Sequence, residues 1–303
     1  MEDRAQGDLP VDQSFIVEED REMTTESVHF RVGDFSCVSL PDVIETLREE
    51  DITNMFTDDA ERMLAAFRAL PVPLTFCRNI LLVEIGDKRV LIDSGMGQSD
   101  PADPGHLLDR LREENITLES IDTVIITHYH QDHIGGLLDQ AGNPTFPKAR
   151  LVVPAQEHAY WMSEDILAGL DAPDAARLRQ TFAAYAERLI LMDDTADIEP
   201  GIHYVPAVGH SPGHRAVHIE SGDARLLHIV DAIHMPIQLN ALDAAPFDWQ
   251  QPDIAIATRR ALLARAESEN LLLMAYHFPF PGLGCVQRRG GLLAWEPYAI
   301  PAP

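Results

Sequence analysis

The chain has 303 residues, enough for one large domain or two ordinary ones. Apolar residues make up 46% and charged residues 24%, near the soluble globular average, which excludes collagen-like, coiled-coil and wholly disordered classes. A net charge of −26 sets the surface against phosphate backbones and anionic lipid, so neither nucleic acid nor a membrane is expected as a partner. No apolar run approaches the roughly 20 residues that span a bilayer, and the opening MEDRAQGDLP lacks the basic and apolar stretches of a signal peptide. Cys37, Cys77 and Cys285 show no paired spacing, which points to a reducing compartment and a cytoplasmic location.

Residues 1–27 carry nine acidic groups against two arginines and read as a polar arm. The remainder, 28–303, has no linker rich in Gly, Ser or Pro and reads as one domain. Alternating apolar residues predict strands over Val28–Leu40, and helical spacing predicts a helix over Asp58–Leu70, ended by Pro71 and Pro73. Asn79–Ile85 and Arg89–Ile92 flank Gly86-Asp87-Lys88 as a hairpin. A helix is expected over Gly105–Glu114, a buried strand over Ile121–Thr127, and a strand then a helix over Ala149–Val153 and Ala155–Met162. Next come a helix over Asp174–Ala186 and strands over Ile202–Pro206, Ala216–Glu220 and Arg225–Val230. A helix over Gln251–Ala266, with Pro252 near its first turn, precedes a strand over Leu271–Tyr276 and two closing strands. Strand-rich stretches alternate with helices twice, so the simplest architecture is two sheets face to face with helices outside.

Thirteen histidines are the unusual feature of the composition. Three fall within Thr127-His128-Tyr129-His130-Gln131-Asp132-His133-Ile134-Gly135-Gly136, at the C-terminal end of a predicted strand. His128 and His130 alternate and can converge on one metal. Asp132 and His133 follow a turn later and can face a second. Imidazole and carboxylate suit Zn²⁺, with Mn, Co and Fe possible. Gly135-Gly136 lets a helix pack close behind the site.

This stretch resembles the His-X-His-X-Asp-His signature of the metallo-β-lactamase superfamily, and the resemblance extends over residues 74–285. Gly209-His210-Ser211-Pro212-Gly213-His214 is similar to the family's Gly-His-Thr/Ser-Pro-Gly-His loop. The resemblance implies that His210 is a ligand and His214 a supporting residue. Val230-Asp231-Ala232 matches the carboxylate that bridges two metals, and Tyr276-His277-Phe278 the last ligand. Leu91-Ile92-Asp93-Ser94-Gly95 matches a turn whose aspartate supports the site from outside the ligand set. The implied fold is α/β, the αββα sandwich of two mixed sheets with helices on the outer faces. The implied cofactor is two divalent ions per chain, most simply zinc. His128, His130 and His210 hold one, Asp132, His133 and His277 the other, and Asp231 bridges.

A water between two such ions ionises near neutral pH and is the expected nucleophile. Asp132 or Asp231 would pass a proton to the leaving group. His130 stands where a di-iron redox relative would carry glutamate, which favours hydrolysis. His277-Phe-Pro-Phe-Pro-Gly-Leu-Gly284 and Asp231-Ala-Ile-His-Met-Pro-Ile-Gln238 resemble the branch that holds methyl parathion hydrolase and N-acyl homoserine lactonases. Two departures are Cys285, where relatives tend to carry histidine, and the lack of a tyrosine two or three residues after Asp231. His234, Phe278 and Phe280 are candidate pocket residues, with Trp161 a further apolar wall, whereas Tyr129 reads as packed. The expected activity is cleavage of a neutral lactone or aryl ester. Phosphotriester hydrolysis and a glyoxalase II-like thioesterase are the alternatives, and a non-enzymatic binding protein is the remaining class. A homodimer is the assembly the resemblance suggests.

Overall fold

The computed structural model describes residues 26–98, 104–193 and 196–299. The acidic segment expected over 1–27 lies outside the described residues except for its last two. Among the described residues fourteen strands form two seven-stranded sheets.

The first sheet follows chain order: β1 (Val28–Val32), β2 (Phe35–Thr46), β3 (Thr75–Ile85), β4 (Lys88–Ile92), β5 (Thr123–Ile125), β6 (Arg150–Pro154) and β7 (Leu189–Met192). β1 to β4 pair antiparallel and β4 to β7 parallel. Ile85 pairs with Lys88, so the β3–β4 turn is only Gly86-Asp87, with Gly86 at φ 58° supplying the left-handed residue such a turn needs. Parallel pairing requires crossovers, and these carry the helices. α3 (Leu107–Glu113) joins β4 to β5, and α4 (Gln131–Ile134) lies between β5 and β6. α5 (Ala155–Trp161), α6 (Glu164–Gly169) and α7 (Ala172–Ala184) separate β6 from β7.

The second sheet contains β8 (Asp197–Glu199), β9 (Ile202–Pro206), β10 (Arg215–Ser221), β11 (Ala224–His228), β12 (Leu272–Met274), β13 (Leu283–Arg289) and β14 (Leu292–Pro297), ordered from β14 to β8. Only β11 and β12 pair parallel, and the helix between them is α8 (Pro252–Glu269). α8 runs past Ala266 to Glu269 and ends on Asn270 at φ 49°, a left-handed cap. The remaining helices, α1 (Glu49–Met55) and α2 (Ala60–Arg68), pack Ile52, Phe56 and Met63 against Met235 and Ile237.

Side-chain alternation builds the layers. Val90 and Ile92 of β4, Ile125 of β5, Val217 and Ile219 of β10 and Met274 of β12 fill the space between the sheets. Leu91, Val124, Leu151 and Val153 point the other way, under Leu111, Leu178 and Phe182 of the outer helices. Leu227 and Leu273 do the same beneath Leu262 and Leu263 of α8. The result is an αββα sandwich, the fold class expected from the sequence. The elements absent from the sequence reading are α1, α4, α6, β7 and β8, of three to seven residues, too short to show a period. No helix among the described residues is long and apolar enough to cross a membrane.

Candidate metal centre

The C-terminal ends of β4, β5, β9, β11 and β12 meet at one edge of the sandwich, where open sheets commonly place ligands. Asp93 follows β4, is fully buried and has φ 62°. Its Oδ1 accepts from the Thr127 N–H at 2.9 Å, and its Oδ2 from the Thr127 hydroxyl at 2.9 Å and His133 Nδ1 at 2.8 Å. The Thr127 oxygen in turn accepts from His128 Nδ1 at 3.2 Å. His130 caps α4, which carries Asp132 and His133 on its single turn. Gly135 and Gly136 continue that turn. A Cβ on them would fall 2.1 Å from the Met96 carbonyl oxygen and 2.0 Å from that of Ser94, so their close approach is to the loop after β4. The second sheet docks on this edge through Arg215 N–H to Thr127 O at 3.1 Å and Asn79 N–H to Tyr276 O at 2.9 Å.

The imidazoles converge on one oxygen. Asp231 Oδ2 lies 3.6 Å from Nε2 of His128, 3.3 Å from that of His133, 3.2 Å from His210, 3.5 Å from His234 and 3.3 Å from His277. His277 Nε2 is also 3.4 Å from Asp132 Oδ2. His128 and His210 face each other with their Nε2 atoms 3.0 Å apart. Four overlapping donor groups result among the described residues: His128, His130, His210 and Asp231; Asp132, His133 and His277; His210, His234 and Asp248; and Asp231, His234 and His277, the first two being the sets expected from the sequence.

The sequence profile of the Metallo-beta-lactamase superfamily matches residues 77–275, which contain every residue of both sets but one, His277 lying two residues beyond. The chain belongs to the metallo-beta-lactamase superfamily. A Mycobacterium tuberculosis protein named as a probable metallo-hydrolase is 27% identical over 234 residues, 66% of this chain and 71% of its own length. The N-acyl homoserine lactonase of Bacillus thuringiensis is 22% identical over 216 residues, 65% of this chain and 79% of its own. The solved structure of AidC, described as a dizinc quorum-quenching lactonase in complex with a product, matches at TM-score 0.82 and 24% identity, over 93% of this chain and 100% of that one. That likeness is one of fold.

The donor chemistry of this superfamily member fits divalent ions. His133 Nδ1 gives its proton to Asp93, His128 Nδ1 to Thr127, and His277 Nδ1 to the Cys77 carbonyl at 2.9 Å. In the neutral ring each leaves a bare Nε2 lone pair aimed at the same buried point. The Nε2 atoms of His128 and His210, 3.0 Å apart, are close enough to serve one cation together. Imidazole nitrogen with carboxylate oxygen is the donor set of zinc and its neighbours.

Burial, with the neighbouring imidazoles, holds His128 well below the usual histidine range, and it pushes His130 down to about 3. His214 is depressed by the same causes. His133 goes the other way. Burial lowers it, but the Asp231, Asp132 and Asp93 carboxylates outweigh that and raise it well above the usual range. For Asp231, burial raises the carboxyl, and the His277 and His133 rings more than reverse this. Asp132 is lowered by the same two rings against its burial. His128 and His130 are thus held toward the neutral form and Asp231 and Asp132 toward the ionised one, while His133 and His234, beside buried carboxylates, are held toward the charged form.

The structure brings together His128, His130, Asp132, His133, His210, Asp231 and His277. His214 stands beside them, its Nδ1 donating to the Ala207 carbonyl at 2.7 Å and its Nε2 accepting from the Asp231 N–H at 3.4 Å. His234, expected only to line a pocket, lies inside the cluster, with neither ring nitrogen hydrogen-bonded. Phe278 and Phe280 require correction as pocket walls. Phe278 is fully buried behind the second sheet, 4.8 Å from Trp295, and Phe280 joins the apolar layer between the sheets. The chain turns after β12, and in that turn His277 faces the centre while Phe278 faces Trp295.

Trp161 lies edge-on to His130 at 5.9 Å, and Tyr129 is packed on Phe182 at 4.3 Å. Besides Trp161, which the sequence reading named, two aromatic residues that it passed over lie beside the centre. Phe76 stacks on His277 at 4.1 Å, and Trp249 sits 6.1 Å from His234. Arg259, buried beneath Trp249 and pushed down to about 9 by that burial, donates to the Ala232 carbonyl at 2.9 Å and anchors the Asp231 loop. Arg259 shares the buried side of α8 with Ala255, Leu262, Leu263 and Ala266, a charged residue at a core position that only the packed fold reveals.

Proposed function

We propose that this protein is a metal-dependent hydrolase that cleaves a neutral lactone or aryl ester with two divalent ions, zinc first among them. The observation that carries the reading is the convergence of imidazole Nε2 atoms from separate loops on Asp231 Oδ2, in a chain whose superfamily relatives include a lactonase. One ion would be held by His128, His130 and His210, the other by Asp132, His133 and His277, with Asp231 shared. When bound, such ions supply water activation near neutral pH and an electrophile for the carbonyl oxygen. His214 and Arg259 hold the Asp231 loop. Asp231 is enclosed by imidazoles, whereas the Asp132 side chain is 20% exposed, so Asp132 is the carboxylate able to carry a proton to the leaving group. Phe76, partly exposed beside His277, and Phe247, exposed two residues before the buried Trp249, offer apolar surface to an acyl or aryl group. The net charge of −26 favours an uncharged substrate.

The test is metal analysis together with turnover of acyl lactones, aryl esters, a phosphotriester, a glutathione thioester and a β-lactam by zinc-loaded protein. Two ions per chain and preferred turnover of neutral lactones or esters are expected. One ion or none at saturation, or preference for the thioester or β-lactam, would overturn the reading.

A further inference from the structure

We infer that Glu157 is a positioning residue for the centre, its carboxylate clamping together the two loops that carry His128, His130 and His210 and so setting the affinity of that one metal position. The inference rests on the two-metal reading above. Glu157 lies on the first turn of α5 and is fully buried. Its Oε1 accepts from the Tyr129 N–H at 3.0 Å and from Trp161 Nε1 at 2.7 Å. Its Oε2 accepts from the Gly213 N–H at 2.8 Å and from the Ser211 hydroxyl.

These partners are placed where they govern ligands. Tyr129 stands between His128 and His130, Ser211 follows His210, and Gly213 closes the same turn. One carboxyl group therefore spans the backbone of both loops, and through Trp161 it also fixes the ring that abuts His130. Gly213 shows how closely α5 is seated: a Cβ there would lie 2.1 Å from the Glu157 backbone nitrogen. The other metal position draws on different supports, Asp93 behind His133, Cys77 O behind His277 and the Tyr276 hydroxyl on Asp132 O at 2.5 Å. Loss of the Glu157 contacts should loosen one position and spare the other. Glu157→Gln keeps the side chain's shape, but its amide NH₂ must face N–H donors at Tyr129 and Trp161 or at Gly213, and a backbone N–H cannot turn round.

The experiment is zinc competition against a chromophoric chelator for the wild type, Glu157→Gln, Glu157→Ala and Ser211→Ala, with anomalous diffraction at substoichiometric zinc to locate the weakened position. In both Glu157 variants one zinc equivalent should weaken by roughly 10–100-fold, as for other lost supporting partners. The other should stay unchanged, and the depleted position should be the one at His128, His130 and His210. Ser211→Ala, which deletes one hydroxyl and carries the test if the Glu157 variants fail to fold, should show a smaller loss at the same position. Equal weakening of both equivalents, no weakening, or depletion at His277 would overturn the inference. A wild type that binds fewer than two zinc ions would instead overturn the proposed function.

Discussion

Replacing Asp93 with asparagine should weaken zinc binding by roughly 10–100-fold while leaving the backbone as it is. The residue is fully buried and sits at φ 62°, a conformation asparagine tolerates better than most side chains. The Thr127 N–H on Oδ1 decides which end of the new amide stays oxygen. The amide NH₂ then occupies the place of Oδ2 and points its hydrogens at His133 Nδ1 and the Thr127 oxygen. His133 must move its proton from Nδ1 to Nε2, which covers the lone pair now 3.3 Å from Asp231. Thr127, accepting from the amide, turns its own hydrogen toward His128 Nδ1 and protonates that ring on its metal-facing side as well. A hydrogen bond to a charged group contributes about 1.5–3 kcal/mol, and each 1.4 kcal/mol is tenfold, which gives the stated range. Competition with a chelator measures it, and circular dichroism checks the fold. Thr127→Val keeps the N–H to Asp93 Oδ1 and the His133 contact to Oδ2 but removes the hydroxyl that bonds both Asp93 Oδ2 and His128 Nδ1, so it should weaken the equivalent at His128 more than the one at His133. An Asp93→Asn protein that binds both zinc ions as tightly as the wild type would refute the tautomer argument.

Three further outcomes are expected. Asp231→Ala should cost more activity and metal than His214→Ala, because Asp231 faces five Nε2 atoms while His214 reaches only the Asp231 N–H and Ala207 O; equal losses with both metals retained contradict this. His228 is fully buried, and that burial pushes it down to about 3. The unfolded chain therefore takes up the proton first, and stability present above pH 6.5 is lost as the pH falls toward 3. His228→Leu should flatten the acid limb of urea melts by about 2 kcal/mol between pH 7 and pH 5, and an unchanged limb counts against it. Finally, kcat/KM for a neutral lactone or aryl ester should exceed that for its carboxylated isostere, with rising salt narrowing the gap, since a chain at −26 repels the anion until within about a Debye length. A flat salt response with the anion preferred would point to local pocket charge instead.

The candidate ligands were legible because metal chemistry would confine them to a few residue types at fixed spacing at the ends of strands. His128, His130, Asp132 and His133 declare themselves within six residues. The strands that deliver them, such as β4, β5 and β12, were legible as short, largely apolar runs leading into each motif. The pocket walls were not, because sequence adjacency misleads there. Phe278 is next to a ligand and faces the core, while Phe76 is remote in sequence and stacks on His277. It arrives there because β3 docks on that segment through Cys77 N–H to His277 O at 3.2 Å.

The same distinction separates what holds a metal from what holds its ligands. A ligand must be histidine or aspartate, so its identity is visible in the chain. A support needs only an acceptor at the correct point in space, and any element that reaches that point can supply it. Asp93 reaches His133 from 40 residues away, and Cys77 reaches His277 with its backbone carbonyl, 200 residues away, which no side-chain pattern encodes. Glu157 reaches its two loops across 28 and 54 residues from a helix whose sequence, Ala-Gln-Glu-His-Ala-Tyr-Trp, looks like any other surface turn. Its burial is the physical clue, since a carboxylate leaves water at a cost of several kcal/mol unless donors replace the lost hydration. Here three N–H groups and a hydroxyl do so, and each belongs to, or packs against, a segment bearing a histidine of the centre.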